Sequence, residues 1–149
     1  TIHFNDTAGS MARDSVTNAS SVVRMITGKN LSDYDVHVNV VGGGNIDGPS
    51  AGAAITCAII SALTGKPLRQ DIAVTGEISL SGRIKPVGGI AEKAFGAHQG
   101  GMKAILIPKQ NALDMGSEYM HMKVIPVDTI QDILEHMLVR KKQKMKGSK

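Results

Sequence analysis

The sequence predicts a single mixed α/β (α+β) domain, and two observations carry the expectation. Segments whose apolar residues alternate with polar ones, as in half-buried strands, are interleaved with segments whose apolar residues recur every three or four positions, as in amphipathic helices. The chain of 149 residues, 42% hydrophobic, is long enough for one core and short for two.

The elements follow in order. Ile2, His3 and Phe4 form a short alternating piece before the turn-like Asn5 to Gly9. Val16, Ala19, Val23 and Ile26 place a helix over about Met11 to Thr27, stopped by Gly28. Val36, Val38 and Val40 alternate with His37 and Asn39, so Tyr34 to Val41 is a half-buried strand. Ala51 to Leu63 is apolar on nearly every face and should be a central, buried helix ended by Gly65 and Pro67. Ile72 to Thr75 and Glu77 to Leu80 read as strand, Ser81 and Gly82 as a two-residue turn, and Arg83 to Val87 as the returning strand. Gly88 and Gly89 then admit a helix over Ile90 to Gln99, followed by the apolar strand Ala104 to Ile107 and a shorter helix over Ala112 to Tyr119. Lys123 to Val127 is the last strand. Asp128 with Gln131 suggests a capping box for a final helix that carries Ile130, Ile133, Leu134, Met137 and Leu138.

Composition excludes some functions. Aromatic residues make up only 3% and tryptophan is absent, which argues against a base-stacking surface. The net charge of +4 is concentrated in the last ten positions, where Arg140, Lys141, Lys142, Lys144, Lys146 and Lys149 lie. Residues 1–139 hold 11 basic against 13 acidic side chains, so the body is no polyanion binder and nucleic acid is not an expected partner. Residues 1–139 are read as the domain, and residues 140–149 as a basic, disordered tail. The single cysteine, Cys57, falls in an apolar run and fits a reducing compartment. No apolar run reaches the length of a membrane span, and a cytoplasmic location is expected.

Gly42 to Gly52 is the candidate functional stretch: glycines and Pro49 surround Ser50 between a strand and an apolar helix. The first turn of a helix has amide N–H groups without intrahelical partners, which suits a nucleophile placed there. Serine is equally a favoured helix cap. A serine nucleophile needs a base. His3, His37, His98, His121 and His136 come without a companion motif. Lys93 lies in the first turns of a helix among Ile90, Ala91, Ala94 and Phe95, and burial would favour the neutral amine that a base requires; an ordinary surface lysine is the plain alternative.

Asp47 to Gly52, then Thr75 Gly76 Glu77 Ile78, then Gly88 to Lys93 resemble the three signature blocks of the Lon proteolytic domain. Ala62 to Pro67 and Ile105 to Lys109 also fit, and the match runs from about Gly9 to Leu138. Ser10 to Val16 and the triple glycine resemble the B-type Lon branch of spore-forming bacteria most closely. The resemblance implies a serine peptidase whose fold is similar to the second domain of a small-subunit ribosomal protein. It implies Ser50 as nucleophile, Lys93 as general base, Thr75 as the residue that orients the lysine amine, and Asp47 and Glu77 as residues that shape the active-site loop. It further implies unfolded or damaged polypeptides as substrates, an ATPase module elsewhere in the protein that would use ATP and Mg, and a homohexameric ring. The chain begins where such a domain would already have passed its first strands, and it contains no GxxxxGK[ST] phosphate loop, so no cofactor is expected here. Two rival readings are a glycine-loop phosphate-binding or small-molecule kinase domain, and a noncatalytic assembly domain in which Ser50 only caps a helix.

Overall fold

β6 (Ala104–Pro108) is the wall on which the interior is built. The computed structural model describes residues 2–4, 10–38 and 49–139, and in it all five residues of β6 are buried. Successive side chains of a strand point to opposite faces. Ala104 and Leu106 therefore enter one apolar cluster, with Val23, Ala53, Ile60 and Ile133, while Ile105 and Ile107 enter a second, with Ile90, Ala94, Met122 and Val124. A strand covered on both faces needs an unbroken apolar run, and this one has it.

β6 lies inside a four-stranded sheet ordered β3 (Ile72–Val74), β6, β8 (Met122–Val127), β7 (Glu118–Tyr119). The first three strands are parallel, with Val74 opposite Leu106 and Leu106 opposite Ile125, and β7 is the antiparallel edge. Helices α1 (Ser10–Thr27), α2 (Gly52–Thr64) and α4 (Ile130–Met137) supply the first cluster, and α3 (Ile90–Gln99) the second. Two small ribbons complete the mixed α/β architecture: β1 (Ile2–Phe4) parallel to β2 (Val36–Val38), and β4 (Glu77–Ile78) antiparallel to β5 (Ile84–Lys85). Burying an Ile or Leu side chain stabilises by about 1.5–3 kcal/mol, whereas an exposed ion pair such as Arg69 with Asp71 or Arg83 with Asp128 is screened by solvent and adds little. The two clusters, not the surface charges, hold the fold.

Several elements differ from the sequence expectation. The strands on either side of Ser81 and Gly82 are short, because β3 pairs with β6 and only Glu77–Ile78 pairs with Ile84–Lys85. The helix expected over 112 to 119 does not form. A 3-10 segment, Lys109–Asp114, gives way at Gly116, whose φ of 78° turns the chain, and Glu118–Tyr119 joins the sheet. Met120 and His121 close the β7–β8 hairpin with φ of 50° and 70°, a turn that Asn-Gly usually announces and this sequence does not. α2 is apolar around its circumference yet one-sided, for Ala54, Ala58 and Ala62 are exposed along one line while Ala53, Cys57 and Ile60 are buried. The basic tail lies outside the described residues, and no helix among those described is long and apolar enough to cross a membrane.

The capping box of α4 is shifted by one residue, to Thr129 and Asp132. The Asp132 carboxylate accepts the Asp128 N–H at 2.9 Å and the Thr129 N–H at 3.1 Å, and Thr129 Oγ1 accepts the Asp132 N–H at 3.2 Å. These bonds, that from Asp128 first, hold the Asp132 carboxyl below its ordinary value of 3.8. A folded pKa below the unfolded one stabilises above the unfolded value, and the gain is lost as pH falls through the folded value. Thermal melting should therefore show wild type above Asp132→Ala at neutral pH, with the gap closing below about pH 4, and Thr129→Ala should cost about 1 kcal/mol.

Candidate active site

Ser50 is the middle residue of a single 3-10 turn, Pro49–Ala51, that runs directly into α2. The cap position of α2 is Ala51, which has no side-chain acceptor, so Ser50 does not cap the helix as the noncatalytic reading required. A neighbouring backbone does that work. The Gly76 carbonyl accepts the Ala53 N–H at 3.1 Å, and the Gly76 N–H donates to the Ser50 carbonyl at 3.1 Å. One residue thus grips both ends of the Ser50–Ala53 turn and leaves the half-buried Ser50 hydroxyl outside the hydrogen bonding that opens the helix.

The glycines make this approach possible. A Cβ on Gly76 would stand 2.6 Å from Ile84 Cγ2, and one on Gly52 would stand 3.2 Å from the Ile78 backbone nitrogen. Thr75, 6% exposed, carries β3 onward by donating its N–H to the Leu106 carbonyl at 3.1 Å, which sets Gly76 in place. The Ser50 turn packs on β4, so the structure brings Ser50, Thr75 and Glu77 to one region. The Glu77 carboxylate lies 3.9 Å from Lys85 Nζ across the β4–β5 ribbon.

Lys93 stands on α3, on the other face of the sheet. Its setting is less apolar than its neighbours suggest, because only Ile90 and Ala94 are buried while Ala91 and Phe95 face solvent, and Lys93 itself is half-buried. Its Nζ donates to the Gly88 carbonyl at 2.8 Å, and among the described residues no hydrogen bond joins it to Ser50 or Thr75. Asp47 lies outside the described residues, with the rest of 42–48.

The other candidates have separate places. His3 and His37 stack at 4.6 Å on the β1–β2 ribbon, and His98 meets the Tyr119 ring edge-on at 6.3 Å. Burial pushes the Cys57 thiol up to about 12, which makes it an inert member of the core. No group of three metal-ligating side chains occurs among the described residues. The sequence marks Gly76 as a structural partner of Ser50 only by its position directly after a strand, where glycine usually signals a close backbone approach.

Fold and site together define a mixed α/β domain that presents a serine at the opening of a buried helix. The sequence profile of the Lon protease (S16) C-terminal proteolytic domain matches residues 2–140. The chain is 40% identical over 138 residues to the archaeal Lon protease of Archaeoglobus fulgidus, covering 90% of this chain and 22% of that protein. It is 43% identical over 130 residues to Lon protease 2 of Bacillus subtilis, covering 87% of this chain and 23% of the relative. With the Lon protease of Haemophilus influenzae the identity is 40% over 144 residues, 89% of this chain and 18% of the relative. The chain belongs to the Lon protease family and is a peptidase domain; it spans about a fifth of the length of these relatives. The phosphate-binding and noncatalytic readings find no support in these matches.

Gly76→Ala should destabilise the domain by about 1–3 kcal/mol, because a methyl must displace Ile84. The double variant Gly76→Ala with Ile84→Ala should be more stable than the sum of the single changes in urea unfolding, since the second removes the obstacle.

Proposed function

We propose that this domain is the serine endopeptidase part of an ATP-dependent Lon-type protease and cleaves unfolded or damaged polypeptides through a Ser50 and Lys93 dyad. The observation that carries the reading is the Gly76 bridge, which caps α2 with backbone and so spares the Ser50 hydroxyl for chemistry. In this mechanism Ser50 Oγ attacks the peptide carbonyl carbon while its proton passes to the Lys93 amine. The C–N bond then breaks, Lys93 gives the proton to the leaving amine, and water hydrolyses the Ser50 ester with Lys93 again as base. A neutral amine has two N–H bonds and one lone pair. It can donate to the Gly88 carbonyl and still accept the serine proton, so that bond supports the role by aiming the lone pair. Thr75 is proposed to orient the amine in the reacting state, and Asp47 and Glu77 to shape the loop around Ser50. Substrate binding has to bring the two faces of the sheet's end into register, since the dyad is not hydrogen-bonded in this structure.

Hydrolysis of a fluorogenic peptide tests the dyad. Ser50→Ala, Lys93→Ala and Lys93→Arg should each lose about a thousandfold in turnover with melting temperatures near wild type, because a guanidinium stays protonated at working pH. Replacement of His37 or His98 should leave turnover intact. Lys93→Arg retaining more than about a tenth of wild-type turnover would overturn the dyad.

The ATPase module is proposed to lie in the remainder of a longer protein, and the active form to be a homohexameric ring that encloses the Ser50 sites. A head-to-tail contact repeated around an axis closes a chamber with one interface. Specific activity should therefore rise with protein concentration in step with the mass seen by light scattering. Full activity in a purely monomeric sample would show that the ring is not needed.

A further inference from the structure

Asn111, in the 3-10 segment after β6, makes a two-point contact that the mechanism above does not use. Its Oδ1 accepts the Val87 N–H at 3.0 Å and its Nδ2 donates to the Val87 carbonyl at 3.0 Å. One carboxamide so satisfies both polar backbone groups of one residue, as a neighbouring strand would. Val87 and Asn111 are both half-buried, in a position where leaving a backbone group unpaired is costly.

The clamp falls at a particular place in the chain. Val87 lies between β5 and α3, in the connection Pro86 Val87 Gly88 Gly89 that delivers Lys93. Pro86 has no N–H to give, and two successive glycines have the largest backbone entropy to lose on ordering. Gly89 takes the left-handed conformation, φ 66°, and a Cβ on Gly88 would touch nothing within 4 Å, so packing reaches this segment through Val87, which lies against the second cluster, and not through the glycines. The carbonyls of Gly88 and Gly89 are both taken by Lys93, at 2.8 Å by its Nζ and at 3.0 Å by its N–H. Lys93 is therefore aimed by the Gly88 carbonyl, which is attached to Val87, which is held by Asn111.

We propose that Asn111 is a positioning residue for Lys93: by pinning both backbone groups of Val87 it fixes the Gly88 carbonyl that holds the Lys93 amine. The proposal rests on the assignment of Lys93 as the base. It makes a chemical demand that only a carboxamide of this length meets. Aspartate keeps the acceptor for the Val87 N–H but turns the donor into a carboxylate oxygen that faces the Val87 carbonyl, and alanine removes both bonds.

The test compares Asn111→Asp and Asn111→Ala with Gln110→Ala, an exposed neighbour on the same segment, in the intact protein. Peptide turnover, KM, melting temperature and backbone hydrogen exchange are measured for each. The expected result is a fall in kcat of about ten- to a hundredfold with KM unchanged, faster exchange over Val87 to Lys93, and unaltered exchange in α1 and α2. Gln110→Ala should match wild type. In the Lys93→Ala background the Asn111 changes should produce no further loss of residual turnover, because the group they position is gone. Wild-type kcat in Asn111→Asp, alongside an inactive Lys93→Ala, would overturn the positioning role and leave the base assignment standing. Equal fold-losses with and without Lys93 would reduce Asn111 to a purely structural residue and also overturn it. Wild-type turnover in Lys93→Ala would overturn the base assignment itself, and the proposal with it.

Discussion

The Gly76 peptide groups bridging Ser50 and Ala53 are the interaction on which the rest of the site depends. A helix must satisfy its first amides, and in most proteins a serine, threonine or aspartate side chain at the cap does so. Here the acceptor comes from a residue one step beyond the end of β3, so the position of the helix start is slaved to the sheet. Two consequences follow from the same two bonds. The Ser50 hydroxyl is relieved of a structural duty, and the Ser50 backbone is anchored to the most deeply buried part of the molecule through Thr75 and Leu106.

β6 makes this anchorage stiff. Its five buried residues serve two apolar clusters at once, one under the helix that follows Ser50 and one under the helix that carries Lys93. Side chains packed at interior density resist displacement, so the separation of α2 from α3 is set by the sheet between them. The connection from Thr75 to Lys93 holds the glycines and the short β4–β5 ribbon, whose Ile78 and Ile84 are buried in the first cluster. The ribbon is itself tied to the start of α4, with the Ile84 N–H on the Asp128 carbonyl and the Ile130 N–H on the Gly82 carbonyl, each at 2.9 Å. The connection is thus held both by these hydrogen bonds and by the burial of Ile78, Ile84 and Val87 against the two clusters.

Side-chain carboxamides and backbone carbonyls do at Val87 and Ser50 what regular ladders do elsewhere. In both places a single residue satisfies a donor and an acceptor of a segment that lacks its own partners. Such two-point contacts define direction as well as distance. They cost less conformational entropy than two separate side chains would.

The class of fold, the long helices and the apolar strand β6 were legible in the sequence because each is a periodic pattern over many residues, and burial follows such patterns directly. Ser50 and Lys93 were legible as candidates for another reason: their flanking glycines and chain context depart from what an ordinary helix needs. What the sequence mostly lacked was a local mark of long-range partnership, the glycine directly after β3 excepted. Nothing near Ser50 tells that Gly76 caps its helix, and nothing in Asn111 tells that it meets Val87, 24 residues away. The segment from Ala112 to Tyr119 shows the limit most clearly, for its residues allow a helix, and pairing with β8 makes it a turn and a strand. Sequence determined which stretches carry apolar faces and which residues are candidates for chemistry. Tertiary structure decided which backbone groups lacked partners, and the need to satisfy them placed Gly76 on Ser50 and Asn111 on Val87.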